Sequence, residues 1–260
     1  MKFLITVITV LLSLNVCYAF DHSHQKWSDV LSKYVVKNGP TSKVKYSQLI
    51  QNPQELKGYL TEVSAVTKDE YNKFSENQKL SFLFNAYNAY TVQLIVDEMK
   101  KNPELKSVKN IGSLFKSTWK IKFFNFLGEN SNLDRIEHDL TRPNFDEPRL
   151  HVAFNCASIG CPALQKEAFT ANKLNEQLDK ATREFLNDKS RNIYHEKSKE
   201  LKLSSIFKWY RDDFEKSKKF KSLRNFIVEH MSLTDEIKNE ILAEKVEINF
   251  LDYDWNLNKI

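Results

Sequence analysis

Glycine and proline are scarce in this chain, five and six of 260 residues. That shortage excludes linker-rich arrays and all-β folds crowded with tight turns. Charge of one sign is lacking too. The excess is +5 and is spread in mixed-sign runs, so no clustered basic face marks a nucleic-acid binder. Beyond the first nineteen residues no stretch is apolar enough to be a transmembrane segment. Only three cysteines occur, and neither an H-E-x-x-H motif nor a familiar zinc spacing accompanies them. Neither a metal nor another cofactor is expected on those grounds.

What the chain does have is aromatic residues. It carries 18 Phe, 10 Tyr and 4 Trp, enough to build a substantial core in one domain of this length. The leader is different material. Lys2 precedes an apolar run from Phe3 to Leu14 that is too short to cross a bilayer comfortably, and Ala19 stands where cleavage is expected. Residues 1–19 read as a signal peptide, making the protein secreted or periplasmic, with a lipid anchor at Cys17 as the rival reading. Residues 20–26, with His22 and His24, read as a disordered start. One domain then runs from residue 27 to 260.

Trp27, Leu31, Tyr34 and Val35 have helical spacing, which stops at Asn38-Gly39-Pro40. The strongest helix covers about 76–101. Ser75 and Gln78 have capping-box spacing, and the body from Leu80 to Val96 is apolar almost all round, which belongs at the centre of a domain. Residues 119–127 read as a strand that turns at Gly128, and Ser131–Leu140 as a short helix carrying Glu137 and His138. An amphipathic helix at 171–186, a hairpin at 192–203, three helices between 204 and 244 and a final strand from Val246 complete the pattern. The fold class is α+β: a helix-dominated single domain with a small, mostly antiparallel sheet around a buried central helix.

The stretch Arg149–Leu164 organises the chain. It reads R-L-H-V-A-F-N-C-A-S-I-G-C-P-A-L, and its opening alternation predicts a strand with Arg149, His151 and Asn155 on one face. Gly160 and Pro162 force a turn around Cys161. In an oxidising compartment a Cys156–Cys161 disulfide is the default, and a loop this short adds only about 2 kcal/mol by chain entropy.

Several segments together resemble the DUF547 family, whose function is unassigned. They are Phe84-Asn-Ala-Tyr-Asn88, Ile136-Glu-His138, the Arg149–Pro162 stretch, Ile206–Phe214 and Tyr253–Asn258. The resemblance implies no agreed activity.

Two classes of function stay open. One is a disulfide-pinned domain that binds a peptide, glycan or small molecule, with Asn85, Asn88, Arg149 and Ser158 as recognition groups. The other is a thiol hydrolase or acyl transferase centred on Cys156, with His138 or His151 as base and Glu137, Asn85 or Asn88 orienting the imidazole. Five strand residues separate Cα atoms by roughly 16 Å, which favours His138 over His151. Thiol–disulfide exchange is disfavoured, because the spacing is not C-x-x-C and no thioredoxin-like βαβ pattern surrounds it.

Overall fold

A computed structural model describes residues 19–112 and 117–260. The leader through Tyr18, including Cys17, and the start of the aromatic run at Leu114 and Phe115 lie outside the described residues. No helix among the described residues is long and apolar enough to cross a membrane.

The N-terminal segment is packed, which corrects the expectation of disorder at 20–26. Phe20 meets Phe82 edge-on at 5.0 Å, and His24 is buried with Nδ1 2.8 Å from the Tyr59 hydroxyl. Helix α1 (Gln25–Tyr34) turns Trp27, Val30, Leu31 and Tyr34 inward. Val35, expected in that helix, instead begins β1 (Val35–Asn38), which pairs antiparallel with β2 (Thr41–Val44) across Gly39-Pro40. Gly39 supplies the positive φ that the turn needs. Helices α2 (Tyr46–Gln51), α3 (Gln54–Ala65) and α4 (Lys68–Asn72) lead to the central helix α5 (Glu76–Lys101).

The capping box at α5 forms as its spacing predicts. The Gln78 amide oxygen accepts from the Ser75 backbone N–H at 2.8 Å, and the Ser75 hydroxyl oxygen accepts from the Gln78 backbone N–H at 3.3 Å. Phe82, Leu83, Phe84, Ala86 and Val96 are fully enclosed, and α2, α3 and the segment 135–141 pack against this helix.

The aromatic run is less regular than predicted. Thr118–Lys120 is a 3-10 turn, pinned where the Thr118 hydroxyl lies within bonding range of the Val108 and Ile111 carbonyls. Only β3 (Phe124–Phe126) is extended, and it pairs with β4 (Glu129–Ser131) through a Leu127-Gly128 turn. The next segment is π-helical, Arg135–Thr141, and Asn132 rather than Ser131 caps it.

The predicted focal strand is a single helical turn, α6 (Leu150–Ala153). Among the described residues no partner strand lies alongside it, and the carbonyls of Glu147 and Pro148 accept the N–H groups of Leu150 and His151. After α7 (Leu174–Leu186), β5 (Ile193–His195) and β6 (Glu200–Ser204) form the expected hairpin. The predicted helix through Phe214 breaks at Tyr210 into α8 (Ile206–Trp209) and α9 (Arg211–Glu215). Then α10 (Leu223–His230) and α11 (Asp235–Leu242) precede β7 (Glu247–Leu251), which joins β6 in parallel. The architecture is helix-dominated α+β with small sheets of two or three strands. Two apolar clusters form, one around α5 and one around Phe207, Phe214 and Phe226.

Candidate functional site

A cleft of about 240 Å³ opens where residues of the two clusters meet. Tyr87 comes to it from α5, Glu137 and His138 from the π-helix, and His151 from α6. Cys156 and Cys161 form its floor, and Trp119, Trp209, Tyr210, Tyr253 and Trp255 wall it. Three of the chain's four tryptophans therefore line one cavity.

The cysteine loop is built by the chain's C-terminal segment. Ile159 N–H donates to the Asn256 carbonyl at 2.8 Å, Gly160 N–H to Asp254 at 2.9 Å, and Asn258 N–H to Ala157 at 3.0 Å. Asn155 closes the loop from within: its amide donates to the Pro162 carbonyl and its oxygen accepts from Ala157 N–H. These bonds hold Ala157 at φ 62°, a left-handed conformation that costs an L residue about 1–2 kcal/mol. Gly160 carries no Cβ because one there would lie 2.9 Å from the Tyr253 ring. Cys156 and Cys161 are joined by a disulfide, with Cα atoms 6.1 Å apart.

Around the sulfurs stand protein donors. Ser158 Oγ and Tyr253 Oη lie 3.1 and 3.2 Å from Cys156 Sγ. Cys161 Sγ accepts from the Cys156 backbone N–H at 2.9 Å and from Tyr253 Oη at 3.2 Å. Burial pushes the Tyr253 phenol pKa well up, so its hydroxyl stays protonated.

A second network lies on the cleft wall. His151 Nε2 donates to Asp213 Oδ2 at 2.7 Å, and its ring stacks on Tyr210 with centroids 3.9 Å apart. Arg142 grips the same carboxylate through Nε at 2.7 Å and Nη2 at 2.9 Å, and places Nη1 2.8 Å from His138 Nδ1. Burial alone would raise the Asp213 pKa. The bonds from His151 and Arg142 outweigh it and hold the carboxyl well below the usual range. Burial lowers the pKa of His151 despite Asp213 beside it, so the imidazole is held neutral. Glu137, nearly buried, faces the phenols of Tyr87 and Tyr210, whose pKa values rise through burial and then through its charge.

Cys156, Cys161, Glu137, His138 and His151, singled out in the sequence, thus share one cleft, with Ser158 against the sulfurs. Among the described residues no hydrogen bond joins either imidazole to Cys156. His138 Nδ1 is engaged by Arg142, while its Nε2 faces Asp134 and Glu137 at 3.9 Å.

Asn85, Asn88 and Arg149 do not line this cleft. The Asn85 side chain exchanges two hydrogen bonds with the Phe169 backbone, at 2.7 and 3.0 Å. That of Asn88 donates to Ala153 O at 2.9 Å and accepts from Asn155 N–H at 2.8 Å, tying α5 to the cysteine loop. Replacing Asn88 by Ala strands both backbone groups. It is expected to cost about 2 kcal/mol in denaturant unfolding, and a loss below about 0.5 kcal/mol would contradict this account. Arg149 is enclosed by Glu147, Asn175 and Asp179.

Reasoning from the sequence missed Tyr87, Trp119, Arg142, Trp209, Tyr210, Asp213, Tyr253 and Trp255. A signal for part of this set was present in the dense aromatic and charged strings 207–214 and 253–255, which are unusual in surface helices and tails.

Residues 71–186 match the family described as Protein of unknown function, DUF547. The chain carries a DUF547 domain. The matched span holds both cysteines, Glu137, His138 and His151, whereas Asp213, Tyr210, Tyr253, Trp209 and Trp255 lie beyond it. No curated protein and no solved structure matches this chain.

Proposed function

We propose that the domain is a receptor for an extended peptide, with an apolar side chain of the ligand seated in the aromatic cleft. The observation that carries this reading is the exposed aromatic wall. Trp209, packed against Tyr253 and Trp255 in the cleft, is 47% exposed. Aromatic walls with a few polar groups suit a ligand pocket, and an exposed tryptophan among them suits an apolar side chain of a protein-like partner. A disulfide joins Cys156 and Cys161 in the cleft. The rival thiol hydrolase lacks a nucleophile while that bridge is closed. This reading goes with an exported protein, secreted or periplasmic, as the apolar leader suggests.

The test is binding of the purified protein to arrayed apolar peptides and to arrayed glycans. Peptides are expected to bind, and Trp209→Ala is expected to weaken the best of them at least tenfold with an unchanged melting temperature. Capture of glycans alone, or full affinity in Trp209→Ala, would overturn the proposal.

A further inference from the structure

We infer that Cys156 and Cys161 are a redox-exchanging pair, acting on a cysteine-bearing peptide held in the cleft. The inference rests on the peptide reading above. Three observations carry it. The bridge is not needed to hold its loop, which six backbone and Asn155 side-chain hydrogen bonds and the Arg191 guanidinium on the Cys161 carbonyl already fix. Both sulfurs line the cleft, where Cys156 is partly exposed and Cys161 is 4% exposed. The sulfurs are also ringed by donors, namely Ser158 Oγ, Tyr253 Oη and the Cys156 backbone N–H.

Donors aimed at sulfur favour the thiolate, and a bridge whose reduced form is stabilised is an oxidant. A staple needs no such ring of donors. The exposure difference assigns the roles: Cys156 is the sulfur that a substrate can reach, and Cys161 is the leaving and resolving sulfur.

The step balances as follows. A substrate thiolate attacks Cys156 Sγ, and the Cys156–Cys161 bond breaks. Cys161 leaves as a thiolate, stabilised by the backbone N–H and by Tyr253. A second thiolate of the same peptide attacks the substrate sulfur of the mixed disulfide, and Cys156 leaves. The peptide has lost two electrons and forms a disulfide. The pair has gained those electrons, and the two protons pass to solvent or to the new thiols. Exchange with another disulfide restores the bridge. The missing C-x-x-C spacing is no obstacle, because the loop brings the two Cα atoms to 6.1 Å.

The experiment uses the purified full chain with reduced glutathione as the thiol, trapping free cysteines by alkylation and reading them by mass. The bridge is expected to open while the far-ultraviolet spectrum stays native. With oxidised glutathione in place of the reduced form, Cys161→Ser is expected to collect a glutathione adduct at Cys156, releasing one glutathione thiolate, and Cys156→Ser none at Cys161. Tyr253→Phe, which keeps the ring against Gly160, is expected to shift the exchange equilibrium about tenfold toward the closed bridge. A bridge that opens only on denaturation, or an adduct on Cys161 and not on Cys156, would overturn the inference. So would an unshifted Tyr253→Phe. An apolar peptide carrying two cysteines that binds while the bridge stays closed would overturn the redox role and leave the peptide reading standing.

Discussion

Replacing Arg149 by Met is expected to destabilise the protein by about 3–5 kcal/mol, the loss typical of removing one partner from a buried ion pair. The guanidinium is 1% exposed and serves two carboxylates at once. Nε donates to Glu147 at 2.7 Å, Nη2 reaches both Glu147 and Asn175, and Nη1 reaches Asp179. Methionine fills the space but leaves Glu147, itself 11% exposed, with only the exposed Lys219 ammonium at 3.5 Å. Urea unfolding followed by circular dichroism checks this, and a loss under about 1 kcal/mol would contradict it. The consequence for the site is indirect: Arg149 anchors α7 to the start of α6, and α6 carries His151 into the cleft.

Asp213→Asn is the second large effect, expected to cost about 2–3 kcal/mol at pH 7. The carboxylate receives three charge-assisted or short bonds from Arg142 and His151, and an amide cannot accept all of them. The sign of the pH dependence follows from the depressed carboxyl pKa. The stability that Asp213 contributes is fully present above its ordinary value of 3.8 and is lost as pH falls below it. His151 is also depressed, so the folded state loses stability as pH falls below 6.5, where the unfolded imidazole takes up a proton. Removing Asp213 takes away the anion beside that imidazole and deepens the loss in the variant. Below pH 3.8 the Asp213 contribution is lost at about 1.36 kcal/mol per pH unit, so the gap between wild type and Asp213→Asn narrows by about 1 kcal/mol toward pH 3. Unfolding at pH 7, 5 and 3 checks the order. A gap that grows between pH 5 and 3 would contradict it.

These two networks show what was legible in the chain and what was not. The Ser75–Gln78 cap, α5 and the β5–β6 hairpin are written in local spacing, and local hydrogen bonds and one buried face are enough to realise them. The segment 149–155 was not legible as helix, because seven alternating residues read as a strand. The deciding groups, the carbonyls of Glu147 and Pro148, lie just outside the pattern. That single change separates Arg149 from His151: one is drawn to Glu147 and to Asp179 of α7, the other to Asp213. Cys156, Cys161, Glu137, His138 and His151 could be picked by residue type. Asp213 could not, since it meets His151 from 62 residues away, and neither could Tyr253, which reaches the sulfurs only because residues 254–258 pair with the cysteine loop. Asn85 and Asn88 were open to two readings for the reverse reason. A polar residue on a buried helix reads the same whether it serves a ligand or a backbone carbonyl.

The central claim is that residues from six segments form one ligand cleft, and the tryptophans report on it directly. Trp119, Trp209 and Trp255 line the cleft, whereas Trp27 is buried in α1 against Tyr59. In a nitrogen-15 spectrum of the indole N–H groups, titration with an apolar cysteine-bearing peptide is predicted to shift the three cleft signals and leave that of Trp27 in place. Three unmoved cleft signals at saturation, or a shift confined to Trp27, would contradict the account.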